Sequence, residues 1–171
     1  QNLTFAAYTG VQVIEPSVMA HTSAEPSDIL RTAHRHLLKA GEPILASYVP
    51  DHYNWVDVGS IDRYLEAHQL CLSGKLEAPG LPRSDHWERR HGHGCTVGKR
   101  VSFEGPSMVG NHVQIGDDVR IGPYVHIGDG ALIESGTDIE RTVIWPGTRV
   151  RGQWFGCVLT PEENVVAPSG L

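Results

Sequence analysis

The chain has 171 residues, a formal net charge of −6 and 40% hydrophobic residues, an ordinary globular composition that excludes a collagen-like fibre and a chain disordered throughout. No stretch approaches the roughly 20 consecutive apolar residues that span a bilayer, and an acidic chain without a basic patch is poorly suited to bind nucleic acid or an anionic membrane. The three cysteines fit neither a disulfide framework nor a zinc site, so we expect a reduced, cytoplasmic protein.

Strand signals occur at three places in the first 74 residues. Residues of high β propensity predict strands over 5–14, 43–49 and 55–59. Three strands are too few for a complete sheet of the kind that alternates with helices. Because the chain also begins with Gln1 rather than Met, we expect the missing strands to precede it in a longer protein.

Helix signals lie between these strands. The pattern predicts a turn or short helix starting at 15–17, and helices over 28–40 and 61–72. Ser27 is the expected N-cap of the first long helix, which stops at Gly41. Ser60 caps the second, which ends at Gly74. Together with the strands, these helices predict an α/β fold.

Glycine use divides the chain. Of the 19 glycines, five precede His91 and fourteen follow it, so two architectures are joined. The stretch 75–93 holds prolines and a charged run rich in histidine, which is typical of an exposed connection. We therefore predict an α/β part over 1–74, a linker over 75–93 and a second domain over 94–171.

The second part repeats every six residues. An apolar residue recurs at Val97, Phe103, Val109, Ile115, Ile121, Ile127, Ile133 and Ile139. A second ladder runs through Val101, Val113, Val119, Val125, Ala131 and Val143. Glycine directly follows the main ladder at Gly98, Gly110, Gly116, Gly122 and Gly128. A coil of short flat sides, with both ladders inside and glycine where a Cβ would be crowded, explains this period.

The segment 95–158 resembles the hexapeptide-repeat proteins, which form a left-handed parallel β-helix with three hexads per turn. After Ile139 the register weakens, because Ile144 and Val150 are shifted by one position. We therefore expect irregular last coils, followed by a loose or capping tail over 160–171. The flat sides and open ends of such a coil also predict a homo-oligomer.

The motifs of the first part occur in a specific order. They are Y-T-G-V-Q-V-I at 8–14, S-D-I-L at 27–30 and Y-N-W-V-D-V-G-S-I-D-R-Y-L-E-A-H at 53–68. With the hexads that follow, this order resembles the C-terminal part of the sugar-1-phosphate nucleotidyltransferases, such as mannose-1-phosphate guanylyltransferase and glucose-1-phosphate thymidylyltransferase. The resemblance implies that 1–74 is the end of a Rossmann-like nucleotidyltransferase domain, followed by the left-handed parallel β-helix.

The resemblance also implies an activity and a site. Members of this family condense a nucleoside triphosphate with a sugar 1-phosphate, giving an NDP-sugar and pyrophosphate. Asp57 matches the family aspartate that helps to hold Mg²⁺, for which a carboxylate oxygen is a suitable ligand. Tyr8, Thr9 and Gly10 match the segment that contacts the sugar. From the residues alone, Asp57 could instead cap the following helix, and Tyr8 could simply pack against the sheet.

The chain departs from the family at the nucleotide site. The glycine-rich loop that cradles the triphosphate and the partner aspartate of the metal are both missing from these residues. We therefore expect this chain alone to be inactive. A noncatalytic regulatory or assembly subunit is an alternative for the longer protein.

Two further alternatives rest on histidines. Hexapeptide coils also occur in acyltransferases, where a histidine acts as general base, and His112 and His126 are the candidates here. The linker histidines His86, His91 and His93 could bind a metal, but a solvated run explains them better, because no cysteine or carboxylate spacing supports a metal site.

Overall fold

The computed structural model describes residues 7–50, 55–76, 90–162 and 164–166. The chain separates into two compact units, Gln1–Trp55 and Val56–Leu171. Most of the expected linker, 75–93, lies outside the described residues, so the division into 1–74, 75–93 and 94–171 stays a prediction. Within the described ranges, no helix is long and apolar enough to cross a membrane.

The first unit is helical where the sequence predicts helices. A 3₁₀ helix spans Pro16–His21, and a π-helical turn at Leu30–His34 continues into α1, Arg35–Ala40. Gly41 ends α1 with φ of 77°, as expected. The helix begins later than predicted, and Ser27 does not cap it. Instead, Asp28 Oδ1 accepts a hydrogen bond of 2.8 Å from the backbone N–H of Leu30.

The predicted strands of this part are not formed in the described residues. Residues 7–14, 43–49 and 55–59 have no strand pairing, and residues 5 and 6 lie outside the described ranges. A strand needs a neighbour for its N–H and C=O groups, and none is present here. Val13 is 100% exposed and Leu45 92%. The described residues therefore do not show the Rossmann-like α/β fold.

The second unit is a parallel β-solenoid of about four turns, preceded by helix α2, Ile61–Leu72. Its strands form three sheets, one on each face. Face A contains β1 Arg90–His91, β4 Ser107–Val109, β7 Val125–Ile127, β10 Val143–Ile144, β13 Cys157–Leu159 and β14 Asn164–Val166. Face B contains β2 Thr96–Val97, β5 Gln114–Ile115, β8 Leu132–Ile133 and β11 Arg149–Val150. Face C contains β3 Ser102–Phe103, β6 Arg120–Ile121, β9 Asp138–Glu140 and β12 Gln153–Phe155.

The register shows where the solenoid is regular. Gln114 pairs with Thr96 on one side and with Leu132 on the other, so one turn takes 18 residues. Later turns are shorter: Val143 pairs with His126, 17 residues earlier, and with Val158, 15 residues later. The expected irregular last coils are confirmed. Strand β14 runs antiparallel to β13 and covers the edge of face A, so this part of the tail is a cap.

The main ladder lies inside the solenoid. Its members from Val109 to Ile139 are at most 4% exposed. The first rung, Val97, is 47% exposed because β2 lies at the edge of its sheet. Ile144 and Val150 point inward, which confirms the shift by one position.

Val143 does not face the interior, contrary to the prediction for the second ladder. The shorter turn places Ile144 in the interior and Val143, its neighbour on the strand, on the outer side of face A. Val143 is nevertheless only 2% exposed. Something other than the solenoid interior must therefore cover it.

Gly116 shows why glycine follows the main ladder. A Cβ at this position would lie 2.6 Å from the backbone nitrogen of Ser135 in the next turn. Such a distance is well inside van der Waals contact, and backbone atoms cannot move aside as a flexible side chain can. The glycine therefore permits close stacking of consecutive turns.

We expect Gly116→Ala to destabilise the solenoid by roughly 3 kcal/mol, the upper end for overpacking. The matched control is Gly136→Ala, where φ is 74° and a Cβ would meet nothing within 4 Å. Its cost should be about 1 kcal/mol, from the left-handed backbone alone. The midpoints of urea unfolding measure both values, and equal midpoints would contradict the stacking argument.

Candidate functional site

Asp57 lies in the loop that leads into α2. Its side chain is exposed, and its Oδ1 accepts a hydrogen bond of 3.1 Å from the backbone N–H of Gly59. The helix cap is made by Ser60, whose Oγ accepts a bond of 3.3 Å from the N–H of Arg63. Asp57 therefore shapes the loop before the helix and does not cap it.

The geometry of Asp57 fits one hard ligand for Mg²⁺, but not a whole metal site. Mg²⁺ is commonly held by one or two carboxylates together with substrate phosphates and water, and the exposed carboxylate of Asp57 suits that arrangement. Among the described residues, no three histidine, cysteine, aspartate or glutamate side chains are grouped to hold a metal. Further ligands would have to come from elsewhere.

The segment Tyr8–Thr9–Gly10 belongs to the first unit, whereas Asp57 belongs to the second. Tyr8 is 49% exposed and so is not packed into a core. Thr9 Oγ1 accepts a hydrogen bond of 3.4 Å from the N–H of Val11. Gly10 has φ of 85° with open space around it, so glycine is needed here for the backbone conformation. The sugar contacts of this segment stay a prediction.

Most of the candidate histidines lie far from Asp57 in the sequence and are exposed where the structure describes them. His112 is exposed at a corner of the solenoid, with φ of 56°. His91 is also exposed and makes an edge contact with the ring of Phe103, at a centroid distance of 4.9 Å. His93 is exposed, and His86 lies outside the described residues.

An apolar stripe on the outer side of face A was not predicted. Neighbouring strands bring Met108, His126, Val143 and Val158 into register. We call these four residues the outer stripe. Val143 and Val158 are at most 6% exposed although neither belongs to the interior cluster. Helix α2 packs against β13 and contacts His126, which explains their burial.

A histidine pair marks this contact. The rings of His68 on α2 and His126 on β7 have centroids 5.1 Å apart. Tyr64, one helical turn before His68, contacts it edge-on at 4.6 Å. No signal in the sequence predicted this contact, because the outward position of Val143 becomes visible only in the register of the strands.

Burial changes the protonation of both histidines. Desolvation, assisted by the nearby His126, lowers the pKa of His68 to about 4. Desolvation also lowers the pKa of His126, and the carboxylate of Asp129 partly opposes this. Both rings are therefore neutral at pH 7. His126 packs against α2 instead of facing an open cleft, which favours a packing role over general-base catalysis.

Face C carries a cluster of charged side chains around Arg120. Its guanidinium contacts Glu104 at 3.0 Å, Asp138 at 2.5 Å and Glu140 at 3.5 Å. The hydrogen bond to Asp138 is the main cause of its raised pKa. These residues come from consecutive turns, so the cluster links the turns, and its carboxylates compete with any anionic ligand for Arg120.

No family model matches the sequence, and no curated protein is significantly similar to it.

Proposed function

We propose that this chain is the C-terminal part of a sugar-1-phosphate nucleotidyltransferase. One observation carries the proposal: an exposed carboxylate, Asp57, lies in a W-V-D-V-G-S loop at the start of a helix that packs onto a parallel β-solenoid. The motif order at 8–14, 27–30 and 53–68 supports the same family.

The uncovered apolar segments of the first unit support a larger α/β domain. Val11, Val13 and Leu45 are each at least 80% exposed, in segments that form neither helix nor strand. Leaving such side chains in water forfeits roughly 1.5–3 kcal/mol each relative to burial. In our proposal, the rest of a longer protein supplies the Rossmann-like sheet that pairs with these segments.

The proposed chemistry assigns limited roles to this chain. Mg²⁺, when bound, would offset the negative charge between the sugar phosphate and the α-phosphorus. Asp57 would hold that ion, while Tyr8, Thr9 and Gly10 would contact the hexose. The nucleotide would bind in the part of the protein that carries the glycine-rich loop.

The solenoid has an assembly role in this proposal. In this proposal the solenoid is a left-handed β-helix. Its faces would pack against a second copy of the protein. Trp145 and Phe155, 47% and 52% exposed, are apolar side chains available for such packing. A cytoplasmic location fits nucleotide and sugar-phosphate substrates.

The test is an assay of pyrophosphate release by the longer protein. ATP, GTP, UTP and dTTP would each be combined with mannose 1-phosphate or glucose 1-phosphate in the presence of Mg²⁺. We expect release with at least one pair. Activity with none of them, in a folded protein that assembles normally, would favour the noncatalytic subunit.

For the 171-residue chain alone, we expect no binding of these nucleotides tighter than about 1 mM, because its sequence lacks the glycine-rich loop that would present backbone N–H groups to the phosphates. Isothermal titration with Mg²⁺ present measures this affinity. Micromolar binding of any one of the four would mean that the nucleotide site lies within this chain and that our placement of it is wrong.

A further inference from the structure

We propose that His68 and His126 form a pH-sensitive clamp, which holds α2 on the solenoid at neutral pH and releases it when the two rings take up protons. The clamp does not depend on the proposed function. It rests on the contact between α2 and the outer stripe, which includes the two rings with centroids 5.1 Å apart.

The most buried side chains at this contact are apolar. On the solenoid side it contains Val143 and Val158, and at the end of the helix Leu72 is 4% exposed. An isolated helix of 12 residues is marginal in water. Helix α2 therefore depends on this surface, and weakening the contact should also melt the helix.

The charged surroundings cannot stabilise two imidazolium rings. Tyr64 is the titratable group that touches His68 from α2, and its side chain carries no carboxylate that could pair with an imidazolium ring. On the solenoid, Asp129 attracts a proton toward His126. Its Oδ1 already accepts a hydrogen bond of 2.7 Å from the N–H of Asn111. One partly engaged carboxylate therefore faces a pair that would carry two positive charges.

The direction of the pH effect follows from linkage. With α2 docked, the pKa of His68 is about 4, against an ordinary value of 6.5 when the ring is in water. The released state therefore binds more protons below pH 6.5. The clamp is fully effective above that pH and weakens as the pH falls toward 4. When the pH falls from 7 to 5, protonation of His68 alone should raise the equilibrium constant for release of α2 on the order of tenfold.

Hydrogen exchange of the intact chain, read by mass spectrometry, tests the clamp. Protection factors of amides in 61–72, corrected for the intrinsic pH dependence of exchange, should fall on the order of tenfold from pH 7 to pH 5. Amides in β6 to β9 serve as the internal reference and should keep their protection. Unchanged protection of 61–72 would overturn the proposal, and so would an equal loss in the solenoid.

Variants separate the clamp from general acid sensitivity. The double variant His68→Gln/His126→Gln cannot take up these protons, so the ratio of α2 protection at pH 7 to that at pH 5 should fall to near one, even if α2 is looser at both. His93→Gln removes an exposed histidine from the same unit and should keep the full pH response. A full response in the double variant would overturn the proposal.

Discussion

Ile121→Asp should leave the solenoid unfolded at neutral pH. Ile121 is 0% exposed and lies in the interior cluster, on the middle turns of face C. Removing a buried isoleucine costs about 2–5 kcal/mol, and a buried unpaired carboxylate adds several more. The sum is comparable with the whole stability of a typical domain, about 5–15 kcal/mol. Far-UV circular dichroism should show loss of the β signal.

Gln114→Asp is the matched control for this result. Gln114 lies on β5 of the same solenoid, but its side chain is exposed. The same new charge placed in water should change stability by less than about 0.5 kcal/mol. If Ile121→Asp were folded with the urea midpoint of the control, the period-six ladder would not line a closed interior.

The solenoid could be predicted because its signal is repeated and local. Each turn stacks the same ladder positions on those of its neighbours, so one pattern specifies many contacts at once. The shift at Ile144 and Val150 was also visible, because shortening a turn moves the apolar positions in the sequence itself. The outward orientation of Val143 was not visible in the sequence. Val143 and Ile144 are adjacent and both apolar, and the ladder pattern does not show which of the two faces inward.

The strands expected in the first unit show the opposite case. Segment 43–49 has the composition of a strand, but β propensity mainly describes side chains that fit a pleated, half-buried surface. Without a neighbouring strand in the described residues, the segment has neither hydrogen-bond partners nor cover, and Leu45 is 92% exposed. Propensity therefore could not determine whether a strand forms. In contrast, the bounds of helix α2 were predicted to the residue, because its N-cap, Ser60, directly precedes it in the sequence.

The features of the candidate site also differ in whether local sequence or long-range packing determines them. The loop position of Asp57 could be read from a contiguous motif, because Ser60 and the following helix are local features. The clamp of His68 and His126 could not, because it joins residues that are distant in sequence and lie on a helix and a strand. Only the docking of α2 on the outer stripe brings them together.

Asp57→Asn in the longer protein should lower kcat on the order of a hundredfold or more while binding of the nucleotide changes little. In our proposal Asp57 holds Mg²⁺ where negative charge accumulates, and this interaction is strongest in the transition state. Losing one such electrostatic contact costs about that factor. Steady-state kinetics at saturating Mg²⁺, with nucleotide affinity measured separately, would check the expected split.

The local structure makes asparagine a suitable replacement. Asp57 Oδ1 accepts its bond from the N–H of Gly59, and the amide oxygen of asparagine can accept the same bond. The substitution therefore removes the charge but keeps the loop, so the melting temperature should stay near that of the wild type. Asp62→Asn is the control, because Asp62 lies in the first turn of α2. It should lose only about 0.3–1 kcal/mol of helix-dipole stabilisation and keep full turnover. Normal turnover of Asp57→Asn with a lowered melting temperature would instead assign Asp57 to the loop alone.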